Sequence, residues 1–168
     1  MRALVHALRK QRTLSVVNWV LRVVTAAALA VDSYVHADLA DRYDPNSDAS
    51  ISQGDLFRIE AAVSALAAFV IVLVATRVTW TFVFAVAASA LGAVLLYRYH
   101  DVGTLGPLPN MYEPSWYQEK SLTAIAEAVA TAAAALGYST TALRLRRTAG
   151  SARGSPRISP VSGRGRRG

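Results

Sequence analysis

The chain has 168 residues, 53% of them hydrophobic, and a mean hydropathy of +0.29, above the roughly 45–50% apolar content of ordinary soluble domains. It contains no cysteine, which excludes disulfides, thiolate metal sites and a cysteine nucleophile. A net charge of +7 and a pI of about 10.2 would suit a nucleic-acid binder. The charges are segregated, however: all eleven acidic residues lie between Asp32 and Glu127, while Arg2, Arg9, Lys10, Arg12 and eight arginines from Arg144 onward hold the ends. On a hydrophobic chain such a split is first a topology signal, and nucleic acid is not the expected partner.

Residues 1–13 form a short basic segment in which Leu4, Val5 and Leu8 can share a face, with His6 beside them. Such a segment lies at a membrane surface. The first predicted span covers about 14–35. It carries Arg22 two turns in, where a long side chain can snorkel to the near headgroups. The alternative for this region is a cleaved signal peptide, with Ala28-Leu29-Ala30 as the small-residue processing site. Asp38 to Asp55 reads as a polar, acidic loop broken by Pro45, Asn46 and Gly54, with Asp55 placed to cap the next helix.

Ile59 to Tyr97 is almost wholly apolar, with Glu60 and Arg77 as its interior charges. One helix of that length would be roughly twice as long as a bilayer core is thick, at about 1.5 Å per residue. The stretch therefore reads as a hairpin of two spans, about 56–75 and 80–97, turning near Thr76 to Thr79. A second loop, His100 to Lys120, is rich in Gly, Pro and aromatics. An alanine-rich fourth span covers about 121–143 and contains Glu127. Pro114, Ser115 and Trp116 resemble a helix start that would lengthen this span. From Arg144 to Gly168 the composition is Arg, Ser, Gly and Pro. That is a disordered basic tail, able to bind anionic lipid headgroups or to act as a solvated topology anchor.

The fold class expected is all-α: a membrane protein built as a four-transmembrane-helix bundle with a disordered basic C-terminal tail. The basic ends and Arg77 fall on one side of such a model, and both polar loops fall on the other. The positive-inside rule makes the first side cytoplasmic, in a bacterial plasma membrane. Small residues four apart offer close helix packing: Ala85, Ser89 and Ala93, and Ala88 and Gly92, on the third span; Ala124, Ala128 and Ala132, and Thr131 and Ala135, on the fourth. The same stripes suit a monomeric bundle and a homo-oligomer equally.

Ionisable residues inside a membrane are costly and are functional candidates. Asp32 and His36 share a helix face one turn apart, and Glu60 and Glu127 fall at similar depth, so all four can converge on an outer vestibule with His100 near its rim. Three readings compete. Glu60 and Glu127 pair with Arg58, Arg98 or Lys120, or hydrogen-bond across the bundle, and fix its register. The vestibule binds a small solute, a lipid headgroup or a proton. Or His36 and His100, with carboxylates, hold a metal, or the two histidines hold a haem. The Glu-x-x-His repeats of di-iron bundles and the His-Glu-x-x-His motif are absent, and no cofactor is expected. In the second loop Tyr112, Trp116 and Tyr117 suit an aromatic belt at the interface, or a lid over the vestibule.

The run GPLPNMYEPSWYQEKSLTAIAEAVA resembles a segment of small, uncharacterised integral membrane proteins of high-GC actinobacteria. That resemblance covers about residues 14–143, implies a membrane location and supplies no catalytic residues. The leading functional expectation is a non-enzymatic accessory or scaffold component acting through its bundle and outer loop, with a membrane-protein partner or a second copy. A transporter or binding protein using the acidic vestibule is the alternative, and a membrane metal or redox protein a further one.

Overall fold

The computed structural model describes the backbone of residues 2–45 and 49–153, and side chains of residues 13–45 and 49–143. Four helices follow one another: α1 Arg2–Tyr43, α2 Gln53–Leu73, α3 Arg77–Tyr99 and α4 Gln118–Arg153. Each contains a stretch long and apolar enough to cross a membrane: Thr13–Tyr43, Gln53–Leu73, Arg77–Tyr99 and Gln118–Leu143. α1 packs against α2 and α4, and α3 packs against α4, while α2 and α3 approach each other only sparsely.

The bundle buries many polar groups and turns large apolar ones outward. Val16, Trp19, Phe69, Val72, Ile125 and Leu136 are exposed, whereas Asn18, Thr25, Asp32, Ser64, Thr123 and Glu127 are buried. Water would favour the reverse arrangement. In hydrocarbon, outward apolar groups cost nothing and polar groups must find partners within the bundle. This is a multi-pass membrane protein in contact with lipid.

Several boundaries differ from expectation. α1 is continuous from Arg2 to Tyr43, so Asp38 to Tyr43 belong to a helix and not to the acidic loop. The reason is local: Leu39 and Ala40 are buried against the bundle, and Arg42 pairs with Asp38 one turn back. α1 also runs unbroken through Ala28-Leu29-Ala30, where Leu29 is fully buried in the core. The cap of α2 is Ser52, whose hydroxyl accepts from the Asp55 amide at 2.9 Å. Asp55 is the reciprocal member of a capping box. The α2–α3 turn is Val74 to Thr76, with Thr76 capping α3. α4 begins at Gln118, beyond Pro114-Ser115-Trp116, and continues past Leu143 to Arg153. The remainder of the basic tail lies outside the described residues, as do the side chains of residues 2–12, His6 among them.

Arg22 does not snorkel. Its guanidinium donates to Ile71 O at 3.0 Å and to Val72 O, closing the carbonyl end of α2. A helix C-terminus carries unpaired carbonyls and partial negative charge, so a cation is bound more favourably there than in headgroups farther away.

The small-residue stripes also point differently. Ala85, Ser89, Gly92 and Ala93 on α3 are exposed, as are Ala128 and Ala132 on α4. The buried stripes are Val83, Ala87 and Ala90 on α3, and Ala126, Ala130, Ala134 and Gly137 on α4. At Gly137 an added Cβ would lie 2.4 Å from the Trp80 ring, so the tryptophan packs into the notch that glycine leaves. Trp80, Leu29, Ala67, Ile71, Val83, Ala130 and Ala134 form a closed core in the half of the bundle nearest the α2–α3 turn.

Candidate functional site

The other half is hollow. A cavity of about 270 Å³ lies among the loop-side ends of all four helices. Its walls include His36 of α1, Phe57 and Glu60 of α2, Val94 and Tyr97 of α3, and Lys120 and Glu127 of α4. Ile59 on α2 and Ala93 on α3 line the cavity and are also exposed, so it opens along the sparse α2–α3 seam. The second loop covers its end with Leu108, Met111, Glu113 and Tyr117.

That cover is well fastened. Leu105 and Leu108 exchange backbone hydrogen bonds at 3.1 Å across a tight turn, and Gly106 within it has φ +60°, which a side chain would strain. The Ile51 amide donates to Pro107 O at 3.2 Å, joining the two loops, and the Glu113 amide donates to Tyr97 O at 3.1 Å. Lys120 Nζ donates to Glu113 O. Tyr117 and Tyr43 join their hydroxyls at 3.0 Å; burial and this bond hold the Tyr117 phenol above its usual pKa. Of the three loop aromatics, Tyr117 therefore belongs to the cavity cover. Tyr112 and Trp116 are exposed outside it, and Trp116 lies against the Arg98 and Lys120 cations, 5.6 and 5.9 Å from its ring centre.

At the inner wall the acidic residues converge as their spacing implies. His36 Nδ1 lies 3.1 Å from Asp32 Oδ1 and 3.1 Å from the Asp32 carbonyl oxygen. The His36 ring stands edge-on to Phe57, with centroids 5.2 Å apart. Ser64 Oγ lies 2.7 Å from Asp32 Oδ2 and 3.1 Å from Glu60 Oε1, so its single proton serves one carboxylate at a time. Glu127 is fully buried, and among the described residues its carboxylate oxygens meet no lysine, arginine or hydroxyl donor; its polar neighbours are the Asp32 carboxyl and His36. One ligand atom from each of Asp32, His36 and Glu127 lies within 4.8 Å of the others.

The expected charge partners are engaged elsewhere. Arg58 binds Asp41 at 2.8 Å, Asp44 at 2.6 Å and Asp55 at 3.3 Å on the loop side. Arg98 lies over Tyr99 and Trp116. Among the described residues no ion pair joins either basic group, or Lys120, to Glu60 or Glu127. Register-fixing pairs between these carboxylates and those cations are thus not what the bundle builds. His100 is the exposed C-cap of α3 and does not line the cavity, so His36 and His100 do not face one another across a shared site.

Comparisons of the chain with protein-family models, curated proteins and solved structures find no significant match. Its chemistry must be read from its own residues.

Ser64 was not legible as a site residue. A serine in the apolar run of α2 looks like a small packing residue, and only its placement opposite Asp32 reveals the hydroxyl's role. Charge alone cannot find such a group, but a polar residue one turn from an intramembrane glutamate is the available signal, since Glu60 and Ser64 are four apart.

Proposed function

We propose that the protein is a membrane-embedded binding protein that admits a small cation to an acidic cavity in the loop-side half of its bundle. The observation that carries this reading is Glu127, a fully buried carboxylate that meets no lysine, arginine or hydroxyl donor among the described residues, beside two further carboxylates. Three carboxylates around one imidazole carry more negative charge than hydrocarbon tolerates, so the cluster takes up positive charge, as protons or as a bound cation. The closed core around Trp80 ends the cavity part-way along the bundle, which supports binding from one side in preference to conduction. Charge distribution supports placing both termini in the cytoplasm of a bacterial plasma membrane, with the cavity in the outer half.

The test is labelling with a hydrophobic carbodiimide, which attacks buried membrane carboxyls, in the presence and absence of a panel of cations: sodium, alkylammonium, zinc and manganese. Adduct on the peptide containing Glu127, reduced several-fold by a member of the panel, is the expected result. Unlabelled Glu127, or labelling indifferent to every cation, would overturn the reading.

A second reading, an accessory protein recognising a membrane partner, is favoured by the exposed Tyr112 and Trp116 on a loop whose backbone is already fixed. Its mark would be a stoichiometric copurifying protein that Trp116→Ala releases without loss of folded protein.

A further inference from the structure

We infer that Asp32, His36 and Glu127 form a binding site for one divalent transition-metal ion of the zinc class, open to the cavity at its remaining coordination position. The inference rests on the cation-binding reading above and names the cation. Three observations carry it together. Asp32 Oδ1 and His36 Nδ1 are 3.1 Å apart, whereas two ligands of a tetrahedral ion at roughly 2.0–2.1 Å are about 3.3 Å from one another. The pair stands near ligand spacing on one helix face at i and i+4, and an ion there would take the Nδ1 lone pair in place of its contact with the Asp32 carbonyl oxygen, 3.1 Å away. Glu127 brings a carboxylate to within 4.8 Å of both from a different helix, fully buried and met by no lysine, arginine or hydroxyl donor among the described residues. Ser64 occupies Asp32 Oδ2 at 2.7 Å, which leaves Oδ1 facing His36. This is the outer-shell arrangement that orients a ligating carboxylate.

The donor set decides the ion's class. Two carboxylate oxygens and one imidazole nitrogen suit zinc, manganese or ferrous iron. They lack the thiolate or thioether that would select copper(I) and have fewer oxygens than calcium requires. Charge agrees for the ligands, since a dication cancels the two carboxylates that would hold it, leaving Glu60, at 3.1 Å from the Ser64 hydroxyl, outside the set. His36 and Glu127 line the cavity, with Asp32 behind them, so water or a second ligand could reach an ion held by the three. His100 takes no part, so the histidine pair expected from sequence is replaced by one histidine and two acids.

The experiment uses the full chain in detergent, stripped with a chelator and then titrated with Zn²⁺ alone. Elemental analysis after gel filtration is expected to read about one zinc per chain, falling to background in Asp32→Asn and Glu127→Gln. Glu119→Gln, in the first turn of α4 and outside the cluster, should hold zinc like the wild type. Zinc retained equally by the two cluster variants, or absent from the wild type, would overturn the inference. Should those variants fail to elute as folded protein, X-ray absorption of the zinc-loaded wild type decides. One imidazole in an oxygen and nitrogen shell supports the site, and two or more imidazoles, or none, exclude it. If zinc does not bind but sodium or alkylammonium protects Glu127 from carbodiimide, the metal assignment falls and the cation-binding reading stands. If no cation protects Glu127, both fall.

Discussion

At the scale of single residues, Trp80 and Gly137 fit one another closely. The indole is fully buried and sits where any side chain at 137 would have to be. Gly137→Ala is therefore an overpacking substitution, expected to cost about 1–3 kcal/mol, read as a lowered unfolding midpoint in detergent. Trp80→Leu in the same chain should relieve most of that increment. A double-mutant cycle with no coupling would show that the two do not touch. Sequence reasoning found the polar half of the molecule better than this apolar one. Asp32 and His36 one turn apart, and Glu60 and Glu127 at similar depth, were legible because charge in an apolar run is conspicuous. Trp80 facing Gly137 was not, because aromatic and glycine are each unremarkable in a membrane helix until the crossing of α3 and α4 is known. Tyr112, Trp116 and Tyr117 were legible as a group, but their division between cavity cover and exposed surface depends on which way a loop without periodicity turns.

Among elements, helix ends account for most of what differs from expectation. Arg22 closes the end of α2 by donating to two carbonyls from α1, a role that hydropathy cannot show because it depends on a neighbour. Arg22→Met should keep the stem's packing and lose those bonds. A loss of about 1–3 kcal/mol is expected, with faster amide exchange in the last turn of α2 as the specific sign. Unchanged exchange there would contradict the role. The α1–α2 connection depends on charge instead. Arg58 holds the Asp44 carboxyl below its usual pKa, and the Ser115 amide does the same for Glu113 in the other loop. A carboxylate whose folded pKa is depressed stabilises the fold above its ordinary value of about 3.9–4.3 and loses that contribution as pH falls through the folded value. Stability is thus expected to decline as pH drops below about 5, and Asp44→Asn should flatten part of the slope. Melting midpoints across pH 3–7 would measure it; an identical profile in the variant would refute the linkage. The spans themselves were legible from length and apolarity, while the inward stripes were not. Alanine-rich helices offer small residues on every face, so spacing alone could not tell the lipid-facing stripe at Ala85 and Ser89 from the packed one at Val83, Ala87 and Ala90.

For the whole molecule, the inverted distribution of polar and apolar groups makes hydrocarbon the solvent of its exterior, and topology becomes the quantity to measure. The cysteine-free chain suits single-cysteine scanning. Leu105→Cys in the exposed second loop should react with a membrane-impermeant maleimide on intact cells. Val74→Cys, exposed in the α2–α3 turn, should react only after permeabilisation. The opposite pattern would invert the orientation that the charge distribution supports. Antiparallel neighbours also place the start of the first apolar span beside the end of the fourth, as the hydrogen bonds from Asn18 to Thr140 and Thr141 at 3.4 and 3.3 Å show.

The hollow and the solid halves of the bundle should differ in compressibility. Hydrostatic pressure favours states that eliminate internal void, and here a void lies at the loop-side end, among all four helices. Spectral shifts under pressure are therefore expected at Phe57 and Tyr97 well before the indole of Trp80 responds. A small molecule that fills the cavity would stiffen that end and make the two halves yield together.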